Sequence, residues 1–103
     1  MHAIIRRYEG VDQKRTVELS KKVSESLVPK LSKLPGFSGY YLIEAENGVM
    51  SSLGLFENVD QADESTRITA TWMRDERLET AFPNEPKITS GKVVAREHAA
   101  AVA

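Results

Sequence analysis

The sequence predicts an α+β domain whose elements run β-α-β-β-α-β, and three observations lead there. Leu19, Val23, Leu27 and Leu31 recur at i+4 spacing, as on the buried side of an amphipathic helix. From Gly39 to Asn58 the chain reads "GYYLIEAENGVMSSLGLFEN", two apolar-rich runs about an Asn47-Gly48 pair, which is a hairpin signature. A second helical stripe follows at Ala62, Ser65, Thr66, Thr69, Trp72 and Met73, and strand-like runs stand near both ends of the chain.

Taken in order, "HAIIRRY", residues 2–8, is the first strand, and it ends at Glu9-Gly10. Asp12 caps the first helix. Pro29 removes a hydrogen bond to Glu25, so it is expected to kink this helix or end its regular part near Val28. Leu34-Pro35-Gly36-Phe37 closes the segment. In the hairpin, a two-residue Asn-Gly loop sets Glu46 opposite Val49. Counting outward then pairs Ile43 with Ser52, Tyr41 with Gly54 and Gly39 with Phe56, each aromatic covering a glycine. Asn58 or Asp60 opens the second helix, which is expected to reach about Thr80, with Asp63 and Glu64 in its acidic first turn. "FPNEP" is a loop, "KITSGKVVAREH" the last strand, and "AAAVA", residues 99–103, a frayed tail beyond a single domain of residues 1–98. This order is the split βαβ or ferredoxin-like arrangement, a four-stranded antiparallel sheet with both helices on one face.

Composition excludes several functions. The chain has 103 residues, 41% hydrophobic and 28% charged, with a net charge of −1, so no overall field recruits nucleic acid or an anionic membrane. There is no cysteine, hence no disulfide, thiolate metal site or cysteine nucleophile. "MHAIIRRYEG" lacks the apolar core of a signal peptide, and no apolar run approaches a membrane span, so a cytoplasmic protein is expected. The third strand lacks the basic-Gly-aromatic motif of an RNA-recognition sheet. GxGxxG and P-loop patterns are absent, and His2 and His98, near opposite ends, form no metal cluster or triad.

The hairpin is apolar on both faces. The predicted register puts Phe37, Gly39, Tyr41, Ile43, Ala45, Met50, Ser52, Gly54 and Phe56 on one face. Tyr40, Leu42, Val49, Leu53 and Leu55 fall on the other. Two helices can cover only one of them. Four strands of ordinary length span roughly 400 Å², comparable to the largest apolar patch a monomer leaves exposed, about 300–600 Å². Face-to-face association of two copies removes this exposure, so a homodimer is expected.

Candidate site residues lie between the second helix and the sheet. Ser65, Thr66 and Thr69 are small where a packing helix normally carries Leu or Ile, and Gly39, Ser52 and Gly54 are small on one hairpin face. Either helix and sheet approach closely there, or they enclose a cavity edged by Trp72, Met73, Tyr41 and Phe56. Trp72 is a core anchor in the first case and a wall for a flat aromatic ligand in the second. Arg6 and Tyr8 share a face of the first strand, and Arg6 is a candidate for an anionic ligand group.

With "LPGFSGYYLIEAENG", "VMSSLGLFENVDQADEST", "ATWMRDE" and "KITSGKVV" in this order, the chain resembles the antibiotic biosynthesis monooxygenase-like group of dimeric α/β-barrel proteins over about residues 2–96. The resemblance implies two ferredoxin-like subunits packed sheet to sheet as a dimeric α+β barrel. It also implies a pocket for a small phenol, quinol or anthrone, whose anion passes an electron to O₂ without metal or organic cofactor. Trp72 matches the helix-two tryptophan of such sites, and Tyr41 and Ser52 are expected to line the pocket with it. The asparagine one turn earlier in polyketide-oxidising members is Ile68 here. The histidine about three turns on in haem-degrading members is Phe82, which argues against haem turnover. A non-catalytic ligand-binding or regulatory dimer with the same pocket is the alternative.

Overall fold

Four strands form one antiparallel sheet in the order β2-β3-β1-β4, with β1 at His2–Tyr8, β2 at Phe37–Glu44, β3 at Met50–Phe56 and β4 at Lys87–Lys92. This is a computed structural model that describes residues 1–97; His98 and the expected tail at 99–103 lie outside the described residues. Element order and sheet topology are those of the ferredoxin-like fold expected from the sequence.

The first helix is built in three pieces laid end to end. They are α1 at Thr16–Lys22, a π turn at Val23–Leu27 and α2 at Val28–Ser32, preceded by a 3₁₀ turn that Asp12 caps through the Lys14 amide. The π turn explains two sequence features together. A strict i+4 repeat drifts by about 40° per step on a straight helix of 3.6 residues per turn. A turn closed over five residues takes up part of that drift, so Leu19, Val23, Leu27 and Leu31 all stay buried. It also delivers Pro29 to the first turn of α2, where a missing amide hydrogen costs little, so the helix continues past the expected break near Val28.

α3 spans Val59–Asp75, with the Asn58 side chain accepting from the Gln61 amide. It stops short of the expected Thr80 because Arg77 takes a left-handed φ of 55°. There Leu78 N–H donates to Met73 O and Arg77 N–H to Arg74 O, a Schellman closure with Leu78 buried beneath it. β4 likewise ends at Lys92, earlier than expected, and the Val93 amide bonds onward to Met1 O.

The hairpin differs from expectation in one decisive respect. Asn47 and Gly48 do turn with positive φ, 59° and 74°, and Val49 N–H donates to Glu46 O. But Ala45 N–H donates to Val49 O, so Glu46 is an extra residue and the strands slip by one. Tyr40 therefore faces Gly54, Tyr41 faces Leu53, Leu42 faces Ser52 and Ile43 faces Ser51. Every β2 side chain from Gly39 to Glu44 changes sides relative to β3. A second irregularity between Phe37 and Gly39 restores the phase, and Phe37 packs edge-on against Phe56 with ring centroids 5.9 Å apart.

The helices cover the face carrying Ile4, Arg6, Tyr8, Tyr40, Leu42, Met50, Ser52 and Phe56. The other face carries Ile5, Tyr41, Ile43, Leu53 and Leu55, with Tyr41 60% and Ile43 54% exposed. Which β2 residues lie on it changed with the slip; its apolar character did not.

Candidate functional site

Between α3, the π turn and the sheet lies a small, partly open cavity of about 20 Å³, lined by Tyr8, Val23, Leu27, Tyr40, Leu42, Ser52, Thr69, Trp72, Met73 and Phe82. That volume holds one water molecule. α3 brings Thr69, Trp72 and Met73 to it because these positions share the helix's buried stripe, and β3 brings Ser52 because Ser52 alternates inward with Met50 and Phe56. Four of the expected site residues, Trp72, Ser52, Thr69 and Met73, thus meet at one place.

Trp72 lines both this cavity and a surface groove. Its indole is buried, and Nε1–H donates to Ser26 Oγ at 2.9 Å, which ties α3 to the π turn. Its outer edge joins Lys30, Glu64, Arg67, Ile68, Thr71 and Asp75 around a surface groove of about 330 Å³. On the far side of the cavity, Phe82 packs on Tyr8 with centroids 4.9 Å apart.

Arg6 lies beside the cavity rather than on its rim. It pairs across the sheet with Ser52, and it is only 2% exposed. Its Nη2 donates to Ser65 Oγ at 3.2 Å and to Thr66 Oγ1 at 2.7 Å. Those hydroxyls point back into their own helix, Ser65 donating to Ala62 O at 2.6 Å, so they are neutral partners. Arg6 Nε is buried without any partner. Burial pushes the guanidinium below its ordinary range, and the titratable groups acting on it are Tyr8 and Tyr40, both neutral at pH 7. Burial in turn raises Tyr8 to about 12 and raises Tyr40, with Arg6 opposing both shifts. A buried cation with only neutral partners is costly to fold around.

Two expected residues fall elsewhere. Tyr41 is on the helix-free face, a correction that follows directly from the extra residue at Glu46. Phe56 is fully buried with Ile4, Ala62 and Phe37 at the other end of the helix-sheet layer and does not reach the cavity. Sequence reading missed Tyr40 and Leu42 for the same reason that it misplaced Tyr41. It also missed Tyr8, although Tyr8 sharing a face with Arg6 was the available signal. Among the described residues no three His, Cys, Asp or Glu side chains gather as a metal site, and no helix is long and apolar enough to cross a membrane. His2 donates to or accepts from Ser90 at the exposed end of β1.

By sequence the chain matches no family model and no curated protein. By structure it shares its fold with proteins of the antibiotic biosynthesis monooxygenase type. A Bordetella bronchiseptica protein provisionally named an antibiotic biosynthesis monooxygenase superposes with a TM-score of 0.71 at 18% identity, covering 91% of this chain and 97% of that one. A Streptomyces coelicolor monooxygenase in complex with nanaomycin D superposes at 0.72 and 12% identity, covering 96% and 92%. An MhuD variant with two manganese protoporphyrin IX molecules per active site superposes at 0.74 and 16% identity, covering 96% and 100%.

Proposed function

We propose that this protein is a cofactor-independent monooxygenase of the antibiotic biosynthesis type, acting on a small phenol, quinol or anthrone in the chamber behind Trp72. The observation that supports it is the pairing of an aromatic-walled cavity with a buried, unpaired cation, within a fold whose structural relatives include a monooxygenase in complex with nanaomycin D. In this reading Trp72, Met73 and Phe82 grip the flat ring, Ser52, Thr69, Tyr8 and Tyr40 surround its oxygen, and Arg6 supplies positive charge behind them. No carboxylate lines the cavity to act as a base. Tyr8, held protonated to about pH 12, serves as a donor only. Ionisation of the substrate must therefore come from lowering its own pKa beside Arg6. The ring anion then gives an electron to O₂; a CH₂ becomes C=O, and the second oxygen atom leaves as water.

The cavity, about 20 Å³, is smaller than any such substrate. Swinging the Trp72 indole would join it to the outer groove, and the π turn, an irregular stretch of helix that holds Trp72 through Ser26, is where that motion would start. Two copies packed through Ile5, Tyr41, Ile43, Leu53 and Leu55 would bury the helix-free face, and a cytoplasmic homodimer is part of the proposal. Haem does not fit the residues present: Phe82 stacks on Tyr8 where a ligand would be needed, and His2 is at the opposite sheet end.

Oxygen consumption with a panel of anthrones and quinols tests this. Activity lost in a folded Trp72→Ala variant supports the enzyme. Saturable binding of the same compounds without oxygen uptake supports the alternative, a ligand-binding or regulatory dimer.

A further inference from the structure

We propose that Arg6 forms a built subsite for the carboxylate of a small aromatic acid, whose ring lies in the Trp72 chamber. The inference rests on reading that chamber as a ligand pocket, but not on any oxygen chemistry. Three features carry it. The guanidinium is almost entirely removed from solvent, yet no carboxylate pairs with it among the described residues. Its orientation is nonetheless fixed, because Ser65 and Thr66, one after the other on α3, both accept from the same Nη2. That leaves Nε buried with its hydrogen unused. Both hydrogens of Nη2 are engaged by Ser65 and Thr66, so an incoming carboxylate would accept from Nε–H, a charge-assisted hydrogen bond to the buried donor left without a partner.

The neighbouring side chains suit such a ligand. Ser52, opposite Arg6 on β3, and Thr69, one helical turn beyond Ser65, line the cavity, so the acid end and the ring end of one molecule would be contiguous. The hydroxyls of Ser65 and Thr69 are already committed to main-chain carbonyls of α3, at 2.6 and 2.8 Å. Thr69 keeps the cavity wall polar, and Ser65 meets the guanidinium only as a neutral acceptor. A structural arginine would be expected to have found a carboxylate or a run of main-chain carbonyls, since a half-satisfied buried charge is worse than an apolar side chain of the same size.

The test is titration of the full-length protein with benzoate and salicylate, followed by quenching of Trp72, the chain's single tryptophan. Benzamide serves as the neutral counterpart and sodium chloride as the ionic-strength control. Benzoate or salicylate is expected to bind at least tenfold more tightly than benzamide. Arg6→Met is expected to lose that tenfold preference while still binding benzamide, and Arg6→Lys to keep only part of it. If Arg6→Met does not fold, a preference unchanged in Arg6→Lys overturns the proposal, because lysine has no N–H at the place of Nε. It is also overturned by equal responses to benzoate, benzamide and chloride, or by an undiminished preference in Arg6→Met. Acid binding without oxygen uptake would sink the monooxygenase reading and leave this subsite standing. Oxygen uptake on neutral phenols with no preference for acids would do the reverse.

Discussion

The helix-sheet layer has two ends that obey different rules. At one end Ile4, Phe56, Ala62 and Phe37 make a dry contact in which even Gly54 has a packing reason, since a Cβ there would come within 2.9 Å of the Phe56 ring. Over the next two turns of α3 the same layers enclose Arg6, Ser52, Ser65 and Thr69, an unpaired Nε and a space the size of one water. Protein interiors normally tolerate neither voids nor orphan charges, and the first end shows that this chain can pack to ordinary density. Under the proposed function the second end is left this way for a ligand; the first end has an unpaired buried atom of its own, Gln61 Oε1 beside Gly36, but that atom carries no charge.

The largest expected contrast is in truncation. Phe56→Ala should cost about 3–5 kcal/mol, because nothing around it can collapse into the space. A loss under about 1 kcal/mol, measured by urea unfolding, would mean that the dry end is no better packed than the other. Next comes alkaline pH. The folded chain keeps the Tyr8 proton to about pH 12, whereas the unfolded chain releases it near its ordinary value of 10.0. The unfolded state thus binds fewer protons across that window, so stability falls as pH rises through it, by up to about 1.4 kcal/mol per unit. Tyr8→Phe should flatten this decline, and an unchanged decline would show that Tyr8 is not sealed from water. Smaller still, Ser26→Ala should cost about 1 kcal/mol, as water in the outer groove replaces part of the lost bond to Trp72. It should also shift Trp72 emission to the red. No shift would mean that the π turn does not hold the indole.

The dry end and the frame around it were largely legible in sequence. The i+4 stripe of Leu19 to Leu31 and the α3 stripe from Ala62 to Met73 follow from periodicity alone, and strand order follows from element order. The polar end was half legible. Trp72, Ser52, Thr69 and Met73 come together at the cavity because α3 and β3, two of the elements that build it, keep a regular phase. Tyr41 was assigned in place of Tyr40 because an Asn-Gly pair signals a two-residue loop, and nothing in "EAENGVM" marks Glu46 as the extra residue. One unpaired residue is enough to turn a strand over. Nor could sequence show that Arg6 is left without a partner. That depends on which side chains of α3 face it, and Ser65 and Thr66 are unremarkable until they are seen to be all it has.

Arg6 carries the account, and its contribution to stability has a predicted sign. Urea unfolding of Arg6→Met against the native chain, with no organic acid present, should show the variant as stable as the native protein or more so, by up to about 4 kcal/mol. A loss of about 3 kcal/mol or more would show that the arginine holds the fold together through Ser65 and Thr66, and the polar end would then be structure, not site.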